Sequence, residues 1–331
     1  NACIADVDAS GPLGFLHAVG LGTAIRQYEA LRFLAGVGLA GELGAGITLV
    51  AELTSREHRG IATTIVATVG IFGAVAGFFI TQVVSWRGAF AIGGALGLAL
   101  LFLRIGVVES GMWSGIRSHG RRGAIWMLAW PPRRLLRYLS VVLIAVPVWF
   151  GVGTLVKYGD VIAPSMGLPL DQKPDPGRAV MWCYVGLAIG DLVSGLLSQW
   201  LRSRRKAVLA FHLLTVAAML MYFTVGGRSQ AWFYAACSAL GLSLGYWAVF
   251  VTTAAEQFGT NLRATAATTA PNVVRWSAAA SAGLWVWLDR TLPGAAWKAA
   301  AVAGAIVMSI AMLALLGLRE THGIDLDYEE R

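Results

Sequence analysis

Apolar runs of about 20 residues recur along this sequence, and each is long enough to cross roughly 30 Å of hydrocarbon as a helix. Only 13% of the residues are charged and 57% are hydrophobic, whereas a soluble domain has about 25% charged residues. A weaker run within 1–25 contains Asp6, Asp8 and His17. The strong runs lie near 31–53, 60–85, 88–108, 136–157, 179–201, 207–226, 229–255, 264–288 and 296–318. The pattern predicts an all-α protein that crosses a lipid bilayer many times.

The net charge of +8 is distributed in a way that indicates membrane topology. When alternate loops are assigned to one side, that side receives about twice as many Lys and Arg residues as the other. The basic loop Arg202–Lys206 and the C-terminal tail lie on the more basic side. We therefore expect the tail to be cytoplasmic, and we interpret the basic balance as topology and not as a nucleic-acid surface.

A glycine motif in the stretch "RFLAGVGLAGE" has the spacing of a dinucleotide-binding turn, with Gly36, Gly38 and Gly41 as its glycines. That motif binds a nucleotide only between a strand and a helix, in a soluble unit. Here apolar sequence flanks it on both sides for the width of a membrane. The spacing is then typical of helices that pack closely in a bilayer.

A short internal repeat relates the two halves of the chain. The stretch "AELTSREHRGIATT" from Ala51 resembles "AEQFGTNLRATAATT" from Ala255, and Gly41 pairs with Gly245 at the same offset. Both stretches lie where one span ends and the next begins, which predicts two homologous halves. The first half has room for fewer spans before its repeat, so we expect two further spans upstream and about ten of twelve spans in this chain. The predicted divisions are 1–108 for an N-terminal bundle, 109–135 for a cytoplasmic amphipathic linker, 136–318 for a C-terminal six-helix bundle and 319–331 for the tail.

Several of these features together resemble the major facilitator superfamily. They are the Arg32-to-Glu42 stretch, the repeated turns and "RETHG" at Arg319–Gly323. A further stretch, "GDLVSGLLSQWLRSRRK" from Gly190, is similar to the superfamily's basic signature loop but has Gln199 and Trp200 where an acid and an arginine are usual. The resemblance implies two pseudo-symmetric six-helix bundles in a bacterial inner membrane. It also implies transport of a small metabolite with protons, of the sugar-porter or proline/betaine type, without a cofactor.

Four charged residues within predicted spans are candidates for substrate binding or proton coupling, because a charge in the bilayer must face a cavity or a partner. Glu42 is either a proton-linked carboxyl or a structural hydrogen-bonding group, and Arg32 either takes part in coupling or extends to the membrane surface. Asp191 is either a proton site or a lock between helices. Arg275 either favours a polar or anionic substrate or pairs with Asp191.

Charged pairs in the repeated turns are candidates for a cytoplasmic gate. Glu52 precedes Arg59 by the same spacing as Glu256 precedes Arg263. We expect them to hold the cytoplasmic ends together in one conformation and release them in another. The alternative is that they are ordinary interfacial charges, which contribute little as isolated pairs.

Signatures of enzymes and of ATP use are missing from the sequence. The five histidines do not have a metal-ligand spacing, and no Gly-Lys dipeptide is present for a phosphate-binding loop. Cys183 and Cys237 lie in apolar runs and are interpreted as small core residues. The sequence therefore predicts a monomeric secondary transporter, with a transporter-derived sensor or a non-functional remnant as the alternative.

Overall fold

The structure, a computed structural model, describes residues 24–40, 46, 49–50, 53–55, 58–103, 123–324 and 328–330, and within them the chain is helical and forms no strand. A π-helical turn over Gly151–Val156 and a 3-10 turn over Leu170–Gln172 complete the regular structure of these ranges. The α-helices, numbered in chain order, are α1 (Ala24–Ala40), α2 (Arg59–Val83), α3 (Trp86–Leu103), α4 (Trp126–Ala129), α5 (Pro132–Leu143), α6 (Val146–Phe150), α7 (Gly159–Ser165), α8 (Pro176–Trp200), α9 (Arg204–Val225), α10 (Gln230–Leu244), α11 (Trp247–Glu256), α12 (Thr260–Thr291) and α13 (Ala296–Leu316).

Side-chain caps mark where the long helices α8, α9 and α10 begin. Asp175 accepts a hydrogen bond from the backbone N–H three residues later, and Ser203 and Ser229 do the same. Asp and Ser are favoured at this position because their side-chain oxygens satisfy backbone donors that have no partner in the first turn. The start of each helix is therefore encoded locally.

Helices long and apolar enough to cross a membrane number seven within the described ranges. They are Ile61–Val83, Trp86–Leu103, Pro132–Val156, Pro176–Trp200, Arg204–Val225, Gln230–Glu256 and Ala296–Leu316. The predicted all-α membrane architecture is confirmed. α12 is longer than any of these but more polar, and α1 has 17 residues.

The chain forms two compact units. The first contains α1, the end of α2 from Ala76, and α3, and in it the Arg32 guanidinium lies 5.7 Å from the centre of the Phe90 ring. The second contains the part of α2 up to Val75 and all described residues from Gly123 onward. The candidate residues on α8, α11 and α12 therefore belong to the second unit.

Within the second unit, α8 and α10 pack with their backbones in contact. A Cβ atom added at Gly190 would lie 2.0 Å from the Leu242 carbonyl oxygen, and one added at Gly241 would lie 1.9 Å from that of Cys183. Only glycine fits at such positions, and small residues of this kind let membrane helices approach closely.

Two of the membrane-crossing stretches are interrupted. Between α5 and α6, with Pro147 in the first turn of α6, the Ile144 carbonyl oxygen accepts bonds from other helices: His212 Nε2 and the Tyr246 hydroxyl each lie 2.9 Å from it. Because a carbonyl only accepts, Nε2 is the protonated nitrogen of His212. The second interruption, at Gly245 and Tyr246, separates α10 from α11. Broken helices are tolerated in a membrane where neighbouring groups satisfy the freed backbone.

Candidate functional site

Arg275 lies between two tryptophan rings on the second unit. Its guanidinium carbon is 5.9 Å from the ring centre of Trp149 and 5.9 Å from that of Trp247, and its Nη1 donates to Asn272 Oδ1 at 2.8 Å. The two indole rings are 6.1 Å apart at 79°. Arginine over tryptophan faces is a favourable cation–π arrangement. We call Trp149, Trp247, Asn272 and Arg275 the Arg275 site.

The Arg275 site lies deep along its helix and retains unused hydrogen-bonding capacity. Arg275 is at the middle of the 32-residue α12, about 22 to 24 Å from its two ends at 1.5 Å per residue. Its side chain is nevertheless exposed. The indole Nε1 of Trp149 is buried without a hydrogen-bond partner among the described residues. An exposed cation at the middle of a long helix is the feature expected of a polar ligand site.

Asp191 on α8 is fully buried, and in the part of the chain that the structure describes it forms no ion pair with Arg275. Its Oδ1 accepts from the Ala248 backbone N–H at 2.7 Å, and Thr68 Oγ1 lies 3.4 Å from its Oδ2. Its carboxylate therefore joins α8 to the start of α11 and to α2. These contacts join helices, as a lock would, and the two roles expected for this residue, proton site and lock, both stay predictions.

The N-terminal candidates are only partly described. Arg32 is exposed on α1, whereas Glu42 and Gly41 lie outside the described residues. A Cβ atom added at Gly36 or Gly38 would meet no described atom within 4 Å. Their role in helix packing stays a prediction. Gly245 differs, because a Cβ atom there would lie 2.6 Å from the backbone of α8.

Glu256, a predicted gate residue, forms a buried ion pair with Arg204. Arg204 Nη2 lies 3.1 Å from Glu256 Oε1, Nε lies 3.2 Å from Oε2, and the two side chains are 6% and 5% exposed. Thr321 donates to the same carboxylate at 2.8 Å, and Arg204 Nη1 donates to Ser198 Oγ at 2.9 Å. Two bonds from one guanidinium to both oxygens of a carboxylate make a strong and geometrically specific pair.

The sequence pattern predicts that Glu256 acts with Arg263, because of their spacing, and does not indicate Arg204 as a partner. Arg263 is fully buried near the start of α12, where its Nη2 donates to Thr260 at 3.2 Å. The signal that could have found Arg204 is the basic loop after Gly190. Of the other predicted gate pair, Glu52 and the side chain of Arg59 lie outside the described residues.

The tail segment after α13 caps α9. The Glu320 carboxylate accepts from the Ser203 hydroxyl and from the backbone N–H groups of Arg204 at 2.9 Å and Arg205 at 3.4 Å. Burial raises the pKa of Glu320, but hydrogen bonds from Ser203 and from three backbone N–H groups outweigh that effect and hold the pKa below its usual value. An anion at a helix N-terminus is also favoured by the helix dipole.

The last described residues of the tail bind the helices a second time. Glu330 forms ion pairs with Arg137 at 2.8 Å and Arg134 at 3.2 Å. Its backbone N–H donates to Asn261 Oδ1 at 2.9 Å, and the Tyr328 carbonyl accepts from the Thr260 N–H at 2.7 Å. We call residues 319–324 and 328–330 the tail strap, since they link the ends of α5, α9, α11 and α12.

No group of three or more His, Cys, Asp or Glu side chains is arranged to hold a metal ion in the ranges that the structure describes. Cys183 and Cys237 are free and fully buried. Sequence reasoning missed His212 and Tyr246, because a single polar group in an apolar run gives no sign that it will reach a carbonyl on another helix.

The apolar helices and the charged residues buried among them define a multi-pass helical membrane protein. Residues 13–283 match the Major Facilitator Superfamily, and the chain belongs to that superfamily. The predicted family and fold class are therefore confirmed.

Two bacterial relatives show how far the similarity extends. Over 304 residues the chain is 28% identical to the inner membrane metabolite transport protein YgcS of Escherichia coli (strain K12), an alignment covering 78% of this chain and 63% of YgcS. Over 258 residues it is 25% identical to the putative niacin/nicotinamide transporter NiaP of Bacillus subtilis (strain 168), covering 73% of this chain and 61% of NiaP. The chain spans about three fifths of the length of these relatives.

Proposed function

We propose that the protein is a secondary active transporter that moves a small polar metabolite across the bacterial inner membrane by alternating access. The single observation that carries this proposal is the exposed Arg275 cation at mid-helix between two indole rings. A charge at bilayer depth costs at least about 2.5–3.5 kcal/mol on insertion scales, so it is retained where it faces a polar cavity or pathway. Membership of a superfamily with metabolite transporters among its members supports the same reading.

The chemistry of the Arg275 site favours an organic anion as substrate. The Arg275 guanidinium has five N–H donors. Among the described residues, only Asn272 accepts a hydrogen bond from it. Carboxylates match the remaining donors in geometry and charge. The relative named for niacin and nicotinamide fits this choice, since a carboxylate on a flat ring could bind the guanidinium beside the indoles. Sugars and zwitterions are the competing classes.

Proton coupling is proposed to act through Glu42, with Arg32 as a supporting cation on the same predicted span. An imposed proton gradient can drive transport because one charge crossing 100 mV is worth about 2.3 kcal/mol. Activity of the Glu42→Gln variant indistinguishable from that of the unaltered protein under a pH gradient would exclude this assignment.

The cytoplasmic gate is proposed to include the Glu256–Arg204 pair and the tail strap, together with Glu52, Arg59 and Arg263. Support comes from the burial of the pair and from the number of helix ends that the strap joins. Such contacts have to break or move when the cytoplasmic side opens, so they bias one conformation over the other.

The test is uptake into proteoliposomes of the purified protein under an imposed pH gradient. Labelled nicotinate and nicotinamide form a matched pair of anion and neutral amide, and a hexose and a betaine represent the competing classes. We expect uptake of the anion in preference to the amide. Because a hydrogen bond to a charged group contributes about 1.5–3 kcal/mol, Arg275→Gln should raise the KM for the anion by roughly tenfold to a hundredfold.

Arg290→Gln is the matched control, since Arg290 is an exposed arginine at the end of the same helix. It should leave the KM unchanged. Saturable ligand binding without uptake would support a transporter-derived sensor instead. If all four compounds fail to enter or to bind, the proposed substrate classes are wrong.

A further inference from the structure

The start of α11 depends on an acceptor supplied by another helix. α10 ends at Leu244, Gly245 and Tyr246 interrupt the helix, and α11 begins at Trp247. The first N–H groups of a helix have no partner within it. Here the carboxylate of Asp191 accepts from the N–H groups of Trp247 and Ala248, the latter at 2.7 Å.

Close backbone contact allows this short side chain to reach the helix. A Cβ atom added at Gly245 would lie 2.6 Å from the Asp191 backbone nitrogen and 2.6 Å from the Gly190 carbonyl carbon. With a larger residue at 190 or 245, α8 and the break would move apart and the carboxylate would lose its donors. The glycines and the aspartate therefore act together.

The residue that Asp191 holds in place is a wall of the Arg275 site. Trp247 is the first residue of α11, and its ring lies 5.9 Å from the Arg275 guanidinium carbon and 6.1 Å from the ring of Trp149. A shift in the first turn of α11 would move this ring directly. Trp247 is only 8% exposed, so its position is set by packing and by the backbone to which it is attached.

We propose that Asp191 is a positioning residue: as the N-terminal cap of α11 it fixes Trp247 against Arg275, and it does not carry the transported proton. Its neighbours agree with a fixed role. Thr68 on α2 approaches the second carboxylate oxygen at 3.4 Å, and Asp191 forms no ion pair among the described residues. Both carboxylate oxygens are thus used by donors on other helices. The capping role stands independently of transport, whereas the effect on the Arg275 site rests on the proposed function.

The decisive variants differ in capping ability and in charge. Asparagine caps helices about as well as aspartate but does not titrate. Asp191→Asn should therefore keep the amide protection of residues 247–249, the KM and the pH profile of uptake. Asp191→Leu removes the cap and should speed exchange of these amides by on the order of tenfold, with a higher KM and a smaller change in kcat. Ser309→Ala is the control, since Ser309 is exposed on α13 and its hydroxyl donates only to the Ala305 carbonyl of its own helix; it should change neither measurement.

Hydrogen exchange measured by mass spectrometry on the protein in lipid nanodiscs gives the first readout, and pH-dependent uptake gives the second. The proposal is overturned if Asp191→Asn loses protection as Asp191→Leu does, or if it keeps protection but loses the pH dependence of uptake. If Asp191→Leu does not fold, the asparagine variant alone still decides between cap and proton carrier. Absence of uptake by the unaltered protein would contradict the proposed function, while the exchange measurement would still test the cap.

Discussion

Breaking the Arg204–Glu256 pair should destabilise the protein far more than removing a surface charge. Both side chains are about 5% exposed, and two bonds of 3.1 and 3.2 Å join them. Removing one partner of such a buried pair costs about 3–5 kcal/mol, because the other charge stays buried without compensation. Thr321 donates to Glu256 at 2.8 Å and would remain. We therefore expect Arg204→Met to cost about 3 kcal/mol, roughly a hundredfold in the unfolding equilibrium.

The assay is a double-mutant cycle on the free energy of unfolding, measured by titrating SDS into the purified protein in mixed micelles. Glu256→Gln removes the other partner, and the double variant removes both. Because the two residues are in direct contact, the double variant should cost about 2 kcal/mol less than the sum of the single variants. Lys206→Ala is the control, since Lys206 is exposed two residues further along α9 and should change stability by less than about 0.5 kcal/mol.

Additivity within about 0.5 kcal/mol would refute this reasoning, because it is the behaviour of residues that do not interact. A cost of Arg204→Met no larger than that of Lys206→Ala would refute it as well. The first outcome would mean that the pair is not formed in solution, and the second that water compensates the remaining carboxylate.

Two further predictions concern the break in α10 and the tail strap. Gly245→Ala should lower the free energy of unfolding by about 1–3 kcal/mol through overpacking, because its Cβ atom would lie 2.6 Å from the backbone of α8. Gly283→Ala is the control and should not destabilise the protein, because no described atom lies within 4 Å of its Cβ position. Both variants are measured by the same SDS titration. The pKa of Glu320 is lowered in the folded protein, so its ionised carboxylate stabilises the folded state. This contribution to stability is complete above the usual Glu pKa of about 4.3. It is lost as the pH falls from there through the lower pKa of the folded protein. Limited proteolysis of the tail by pepsin across that range should therefore accelerate more on acidification in the unaltered protein than in Glu320→Gln. The variant corrects for the pH dependence of pepsin and of the other carboxylates, and equal pH dependence in both proteins would contradict the assignment.

The fold class could be predicted from the sequence because hydropathy is a local property. Each apolar run identifies its own helix without reference to any other, and α8, α9 and α10 also carry caps that can be recognised within a few residues. The same logic identified Asp191 and Arg275, since a charge in an apolar run is visible without knowledge of its neighbours. Local signals thus give the elements and the candidate residues.

Partners of those residues could not be predicted, because they come from distant parts of the chain. The spacing of seven residues predicts that Glu256 acts with Arg263, but the Glu256 carboxylate binds Arg204, which is 52 residues away in sequence. Asp191 finds its donor 57 residues away, at a break whose only sequence signal is Gly245. Such contacts depend on helix packing and depth in the bilayer, and neither is encoded in a short stretch of sequence.

The polar side chains of the second unit differ in how many of their hydrogen-bond donors and acceptors are already used within the protein. Those with unused donors are the candidates for binding a ligand. The Asp191 carboxylate is occupied by the start of α11 and by Thr68, and His212 and Tyr246 share the carbonyl freed at the α5–α6 break. These groups compensate for interrupted backbone and stabilise the breaks. Arg275 instead bonds to Asn272 within its own helix, and its other N–H donors have no acceptor among the residues that the structure describes. A negatively charged ligand, as proposed above, would bind these donors and compensate the cation, whereas a neutral ligand would leave the cation uncompensated at mid-helix.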